Sequence, residues 1–242
     1  MRFTFTTEPA RFIERPNRYV ILAEIRSGVT VRAHCPDPGR LRELLIPGAT
    51  VHLSSTPREG RRTTHELRFV ERPETGLLIS LDSRLPNALF REALDERTLE
   101  PFSDWTAYEP EVFLPASGGR IRSRADFLLR GQDGARTWVE VKSATLVEDR
   151  CAYFPDAVTE RGRRHLEELA AIARSGERAA VCFIVQRPDA DMLRPQWDRD
   201  PAFAEALEEA ERAGVLLTAY NADITLSEAT LRRRIPVLTG RP

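Results

Sequence analysis

The hydrophobic pattern of the chain changes once, near Leu81–Ser83, and this change limits the folds that it can adopt. Before this point, short runs of β-branched and aromatic residues are separated by Gly, Pro and Ser, which is typical of β-strands. After it, apolar residues at helical spacing alternate with strand-like runs, which is typical of mixed α and β domains. The pattern therefore predicts two domains, residues 1–82 and residues 83–242.

The first part is predicted to be a small β-barrel. Strands are expected at residues 18–25, 29–34, 50–54 and 64–70, with a short helical turn at residues 40–45. Several short strands with one short helix favour a partly open barrel of the OB type, which binds nucleic acid through basic and aromatic side chains. The alternative is that its arginines form an ordinary solvated surface. The candidates for DNA contact here are Arg32, Arg40, Arg42, Arg61, Arg62 and Arg68.

The second part is predicted to be an α/β unit with a mixed central sheet, so that the whole chain is α+β. The expected elements, in order, are a helix at 84–94, strands at 111–115, 123–130 and 137–142, a helix at 157–174, a strand at 180–186, a helix at 201–213 and a strand at 215–220. The helix between the third and fourth strands predicts a parallel crossover connection.

Lys142 is the only lysine among 36 basic residues. Arginine and lysine are near-equivalent on a solvated surface, but they differ where a compact charge must approach a reacting atom. Lys142 lies at the end of a segment in which β-branched residues alternate with polar ones, as in a strand. The side chain of Glu140, two residues earlier, projects from the same face of that strand. This arrangement indicates a functional pair, although an ion pair on an exposed strand face is the alternative.

Asp126 is expected beside Glu140. The Gly131–Gly134 segment has turn chemistry, so the strands on either side of it form a hairpin. Two carboxylates on neighbouring strands repel each other unless a cation joins them, and hard oxygen ligands suit Mg²⁺ or Mn²⁺. A lysine beside such a metal can orient an attacking water and offset charge in the transition state. Asp126, Glu140 and Lys142 are therefore the candidate catalytic residues.

This pattern, Asp followed by Glu-x-Lys on the next strand, resembles the PD-(D/E)xK nuclease superfamily. The resemblance implies a restriction-endonuclease-like domain and a third acidic metal ligand from the first helix. Glu92 is the candidate for that ligand and Glu111 is the alternative, while an ordinary surface carboxylate is the competing interpretation of each.

Five longer motifs lie at His34–Gly39, Arg124–Phe127, Val139–Leu146, Phe154–Leu166 and Ala219–Ile224. Together they resemble the sugar fermentation stimulation protein A family. The similarity implies an OB-like N-terminal domain, a nuclease-like C-terminal domain, DNA binding with little sequence preference, and a link to the regulation of sugar metabolism. The family's loop more usually reads Cys-Pro-Asn-Thr-Gly, so Asp37 and Pro38 depart from it.

Arg124, Arg161 and His165 complete the predicted DNA-binding set. Arg161 and His165 are four residues apart and therefore share a face of the predicted helix. Arginine suits bidentate contacts to phosphate. His165 is a candidate for proton transfer or phosphate binding, and a structural histidine is the alternative.

Composition narrows the class of protein. Hydrophobic content of 41% and charged content of 30% are ordinary for a globular protein. There is no apolar run of about 20 residues and no N-terminal signal pattern. We therefore expect a cytoplasmic location and no membrane partner. Three widely spaced cysteines fit neither a disulfide framework nor a zinc site. The oligomeric state is left open, with a homodimer as one arrangement.

Two classes of function follow from these residues. The first is a Mg²⁺-dependent DNA phosphodiesterase in which Asp126 and Glu140 hold the metal and Lys142 positions the water. The second is a DNA-binding regulator that does not cleave DNA. Such a protein would use an inherited nuclease scaffold only to bind the DNA backbone. The intact acidic pair favours the first class, and the resemblance to the family favours the second.

Overall fold

The first six strands form a closed barrel with one extra strand. A computed structural model describes residues 1–56, 63–115 and 123–241, so the predicted DNA contacts of Arg61 and Arg62 lie outside the described residues. The sheet order is β3-β2-β1-β4-β5-β6, and a parallel pairing between β3 and β5 closes it. The strands are β1 Glu8–Asn17, β2 Val20–Ile25, β3 Thr30–His34, β4 Thr50–Ser55, β5 His65–Glu71 and β6 Leu78–Ser80.

The barrel encloses its own apolar core. Phe12, Ile21, Val51 and Leu67 are among its buried side chains. Alternation of buried and exposed residues along β1 and β2 sends one face of each strand inward, as the period of two requires. These features confirm the predicted OB-like barrel, which is closed rather than partly open.

The second unit is a six-stranded mixed sheet with helices on both faces. The order is β15-β14-β12-β9-β8-β7, in which β9, β12 and β14 run parallel and the outer pairings are antiparallel. The strands of this sheet are β7 Trp105–Phe113, β8 Arg124–Gly131, β9 Arg136–Ala144, β12 Arg178–Val185, β14 Leu216–Ile224 and β15 Ala229–Ile235. The helices are α1 Leu85–Asp95, α2 Glu160–Arg174 and α3 Pro201–Arg212, with a 3₁₀ turn at Glu100–Phe102.

Two apolar layers hold this sheet between the helices. Phe127, Val139 and Val141 pack on the side of α1, whereas Leu128 and Trp138 pack on the side of α2 and α3. A small sheet, β10-β11-β13, lies beside the main one and consists of β10 Leu146–Glu148, β11 Cys151–Phe154 and β13 Met192–Pro195. The mixed sheet and the parallel crossover between β9 and β12 agree with prediction.

Several predicted boundaries were wrong. Strand β7 begins at Trp105 rather than at residue 111, and Glu111 sits inside it with a φ of 56°. Helix α2 begins at Glu160 rather than at residue 157, because Thr159 is its N-cap and Val158 is exposed before it. The predicted short helical turn at 40–45, by contrast, is present as a single turn, in which the Leu45 amide donates to the Leu41 carbonyl.

Within the described residues, no helix is long and apolar enough to cross a membrane.

Candidate active site between the barrel and the mixed sheet

The hairpin of β8 and β9 brings the predicted acidic residues together. Phe127 pairs with Val139 in the antiparallel register, so one further step places Asp126 opposite Glu140. The turn between the strands is tight, since the Gly134 amide donates to the Gly131 carbonyl and Gly134 has a φ of 76°. Only glycine adopts this φ without strain, which explains the Asp-Gly pair in the turn.

Glu140 is a buried carboxylate with two partners on one oxygen. Lys142 Nζ donates to Glu140 Oε1 at 2.5 Å, and His165 Nδ1 lies 2.6 Å from the same atom. Burial works against ionisation of Glu140, but the Lys142 ammonium and the hydrogen bond from His165 outweigh it and lower the pKa. Glu140 therefore stays negatively charged near neutral pH and holds the lysine in place.

Asp126 is held by the neighbouring backbone and by helix α1. Val141 N–H donates to Asp126 Oδ2 at 2.7 Å, and Asn87 Nδ2 donates to Oδ1 at 2.9 Å. Burial and the charge of Glu140 nevertheless raise the Asp126 pKa to about 6. Both oxygens are oriented, yet the full negative charge is poorly compensated, which is a mark of functional sites.

The two carboxylates fit a hard divalent cation better than a soft one. Both donors are oxygen, and Mg²⁺ commonly takes only one or two carboxylates from the protein and the rest of its shell from water and phosphate. In the described part of the chain, no group of three or more His, Cys, Asp or Glu side chains is arranged to hold a metal. The donor set is thus suited to a cation that shares its shell with a substrate.

The structure does not bring Glu92 to this pair, which corrects the prediction of a third ligand there. Asn87 is the residue of α1 that contacts Asp126, and Glu92 lies five residues, about 7.5 Å, further along the helix axis. Its carboxylate is instead 2.8 Å from the Met1 amino group. The alternative ligand, Glu111, is exposed on the edge strand β7.

A cleft of about 360 Å³ opens above Lys142, with walls from both parts of the chain. The barrel contributes Asp37–Gly39, and the second unit contributes Tyr153–Thr159. Asp37 Oδ1 accepts the Gly39 amide at 2.7 Å, and burial followed by the charge of Asp156 raises the Asp37 pKa to about 6. Asp37 therefore shapes the loop that forms one wall of the cleft.

Comparisons with known proteins identify the family. The model of the "SfsA N-terminal OB domain" matches residues 13–80, and that of the "Sugar fermentation stimulation protein RE domain" matches residues 84–228. The chain belongs to the sugar fermentation stimulation protein family. Curated relatives in this family include the homologues from Moorella thermoacetica, 46% identical over 89% of both chains, and from Acetivibrio thermocellus, 41% identical over 98% of this chain and 99% of the relative.

A solved structure of the SfsA family has the same fold over almost its full length. The structure of Pyrococcus furiosus SfsA in complex with Ca²⁺ is 33% identical, covers 98% of both chains and has a TM-score of 0.84. The OB-like barrel followed by the mixed-sheet domain is therefore the architecture of a family member and not a feature of this chain alone.

The predicted DNA-binding residues of this SfsA family member are dispersed. Arg40 and Arg42 are exposed and line a cavity that adjoins the cleft. Arg32 is exposed on β3, away from it, and Arg124 lies over the ring of Phe113 at 4.4 Å. Arg161 is exposed in the first turn of α2. Of this predicted set, the structure brings only Arg40 and Arg42 to the cavity beside the cleft.

Two further candidates turn out to be internal. His165 is only 2% exposed beneath Glu140, so DNA does not reach it, which corrects its prediction as a DNA contact and favours the structural alternative. Arg68 is held between Glu66 and Asp82, each at 2.9 Å.

Sequence reasoning missed three residues that shape the site. Asn87 orients Asp126, Arg18 lines both the cleft and the adjoining cavity, and Asp156 accepts the Leu41 amide across the two units. Asn87 left one local signal, a polar residue directly after Leu-Pro at the start of an apolar helix. Arg18 and Asp156 left no local signal, because their roles depend on contacts between distant segments.

Proposed function

We propose that this protein is a divalent-metal-dependent DNA phosphodiesterase that binds the DNA backbone with little sequence preference. The observation that carries the proposal is the facing pair Asp126 and Glu140 beside the only lysine. Pure binding has no use for two carboxylates directed at a phosphate, because they repel it. The raised pKa of Asp126 supports a site in which a cation compensates this charge.

Asp126 and Glu140 would hold Mg²⁺ or Mn²⁺. When bound, such a cation polarises the phosphoryl group and makes water a stronger nucleophile. The Ca²⁺ named with the Pyrococcus furiosus relative supports a site for a hard divalent cation in this family. Magnesium and manganese take similar oxygen ligands and are the cations proposed here.

The side chains around the pair orient it. Asn87 and the Val141 amide fix both oxygens of Asp126. Glu140 Oε1 accepts from Lys142 and from His165, so His165 is a positioning residue that acts through Glu140. The Lys142 ammonium then stands where negative charge builds on a phosphate under attack and stabilises it.

A cleavage assay tests this function. Linear, nicked and branched DNA would be incubated with the intact chain, with and without Mg²⁺, beside Asp126→Asn and Glu140→Gln. Cleavage that needs Mg²⁺ and is lost in both variants is expected. Absence of cleavage on every substrate with Mg²⁺ or Mn²⁺ would contradict the proposal.

One observation favours a second candidate, a non-cleaving DNA-binding regulator of sugar (maltose) metabolism genes. The described residues provide only two acidic ligands, and one oxygen of Glu140 is already occupied by Lys142 and His165. A scaffold that had lost its third ligand would still bind DNA through its arginines. In that case Asp126→Asn would leave DNA affinity intact, and the cleavage assay would stay negative.

We further propose that two domains, residues 1–82 and 83–242, have different roles. The matches of separate family models to residues 13–80 and 84–228 support a boundary at this place. The barrel would hold DNA and the mixed-sheet domain would carry the chemistry. A protein that acts on cellular DNA would work in the cytoplasm.

A further inference from the structure

The cleft above Lys142 continues into a second cavity on the barrel. The cavity has a volume of about 330 Å³ and is lined by Arg40 and Arg42. Five residues line both spaces, so the two adjoin and together extend from Lys142 to Arg42. We call this the interdomain groove, and the shared residues are Arg18, Pro38, Gly39, Ala157 and Val158.

The outer half of the interdomain groove is positively charged. Arg18, Arg40 and Arg42 are exposed, and none of them forms an ion pair with a carboxylate among residues 1–56, 63–115 and 123–241. Most of the other arginines that the structure describes form an ion pair with a carboxylate, as Arg68 and Arg84 do. Three unpaired arginines in one groove form a path for phosphates that ends at Lys142.

The same groove exposes apolar surface. Val158 is 62% exposed and lies in the stretch shared by the two cavities, together with Pro38 and Ala157. Tyr19 is not part of the lining of either cavity, but it follows Arg18 directly in the chain and is 56% exposed. A protein that touches only the backbone of a duplex needs cations alone, whereas unpaired bases offer flat apolar faces that stack on aromatic and apolar side chains.

The walls of the groove are tied together. Arg15 donates from Nη1 to the carbonyls of Gly39 and Arg40, and from Nη2 to those of Arg18 and Asp37, at 2.6–2.9 Å. The Arg15 guanidinium thus joins residues 37–40 to Arg18, and the wall of the groove that belongs to the barrel is held rigid.

The opposite wall is fixed to the barrel as well. Asp156 accepts the Leu41 amide at 2.7 Å and pairs with Arg199 at 2.5 Å. The groove therefore keeps its width, and each compartment has a volume that suits a small ligand.

We propose that the interdomain groove takes a single DNA strand, with its phosphates along Arg18, Arg40 and Arg42 and a base against Tyr19. The site at Lys142 is then reached by unpaired DNA, such as a single-stranded end or flap, and not by intact duplex. This inference rests on the proposed function, since it names the form of DNA that this site accepts. Glu140 and Lys142 are only 8% and 12% exposed in their side chains, which agrees with access by a thin strand.

Binding without cleavage tests the inference separately from the chemistry. Fluorescence anisotropy would compare labelled oligothymidine with a hairpin duplex of equal phosphate number, in EDTA so that no metal-dependent reaction occurs. We expect oligothymidine to bind at least tenfold more tightly. Equal affinity, tighter binding of the duplex, or preferred binding of oligouridine would overturn the inference.

Variants locate the strand. The double variant Arg40→Ala/Arg42→Ala should weaken oligothymidine binding by tenfold or more, and Arg26→Ala, at an exposed arginine of the same barrel outside the groove, should have little effect. Tyr19→Ala should weaken it by about fivefold or more, the scale of one stacked base, and Tyr19→Phe should restore it. An equal loss in Arg26→Ala, or no effect of Tyr19→Ala, would overturn the placement.

The two proposals fail differently. If the protein cleaves duplex DNA with Mg²⁺ but the groove variants behave like the parent, the nuclease proposal stands and the single-strand inference falls. If oligothymidine binds in the groove as expected but no DNA is ever cut, the inference stands and the nuclease proposal falls.

Discussion

At the scale of single residues, Lys142 occupies a place where an arginine would present its charge differently. Its ammonium is nearly buried and lies 2.5 Å from Glu140 Oε1. A planar guanidinium is broader and spreads its charge over three nitrogens, so it cannot put the same compact charge beside a reacting phosphate.

We therefore expect Lys142→Arg to keep the fold and most of the DNA affinity but to lose metal-dependent cleavage by about 10²-fold or more, the scale of removing one group that stabilises transition-state charge. Steady-state cleavage rates would measure this, with circular dichroism to verify the fold. Arg130→Lys, an exchange between the same residue types at an exposed ion pair, is the control and should keep full activity. Equal rates for Lys142→Arg and the parent would remove Lys142 from the mechanism.

The ionisation of Asp126 couples stability to pH. Its pKa is raised from 3.8 to about 6 in the folded protein, so the folded state binds more protons than the unfolded state between these values. The free energy of unfolding consequently falls as the pH rises through this window, and the whole penalty is present above pH of about 6.

Replacing Asp126 by Asn removes this charge. In EDTA, Asp126→Asn should raise the free energy of unfolding near pH 7.5 by on the order of 1–3 kcal/mol and have little effect near pH 4. Addition of Mn²⁺ should then stabilise the parent but not the variant. Denaturant titrations at the two pH values would measure both effects, and a gain of the same size at both pH values would contradict the assigned pKa.

The sequence predicted the centre of this site but not its surroundings, and the reason is the range of the contacts. Asp126, Glu140 and Lys142 could be placed together because strand periodicity and a glycine turn are local. Asn87 reaches Asp126 across 39 residues, and Asp156 reaches Leu41 across 115. No local pattern encodes such pairs.

At the scale of elements, the long helices were predictable and the short strands were not. Helices α1 and α3 lie within a residue or two of their predicted bounds, because their apolar stripes are strong. Strand β1 was missed because Pro9 and Pro16 read as breaks, yet both sit near its ends. The short strands β6, β10, β11 and β13, of three or four residues each, offer too few positions for a periodic pattern.

The start of helix α2 shows how tertiary contacts override a local signal. Pro155-Asp156 has the sequence of a helix cap, but the Asp156 carboxylate is already engaged by Leu41 and Arg199. The helix begins instead after Thr159, whose hydroxyl accepts the Gly162 amide at 3.0 Å.

Thr159→Ala should therefore lower the free energy of unfolding by about 1 kcal/mol, the usual cost of losing an N-cap, and Thr159→Ser should retain it. Denaturant unfolding would give both values. The helix-capping assignment fails if Thr159→Ser loses as much stability as Thr159→Ala.

At the scale of the whole molecule, Gly39 is one of the points where the barrel meets the mixed-sheet unit. A Cβ atom built on Gly39 would lie 2.9 Å from Asp156 Oδ2 and 2.9 Å from Asp37 Oδ1. Both carboxylates are held, Asp37 by the Gly39 amide and Asp156 by Leu41 and Arg199, so neither can move away freely. The absence of a side chain at Gly39 is thus what permits the close contact between the two units.

Gly39→Ala should force the loop off Asp156 and loosen the contact between the two units, because overpacking a fixed site costs about 1–3 kcal/mol. We expect a lower melting temperature, faster proteolysis between residues 82 and 84, and weaker binding of oligothymidine, since the interdomain groove loses its fixed width. Calorimetry, limited proteolysis and anisotropy would measure these effects, with Gly240→Ala as the control, because no atom lies within 4 Å of a Cβ built there. If Gly39→Ala has the same melting temperature, proteolysis rate and oligothymidine affinity as Gly240→Ala, the two units do not depend on this contact. The interdomain groove would then be held open by other contacts.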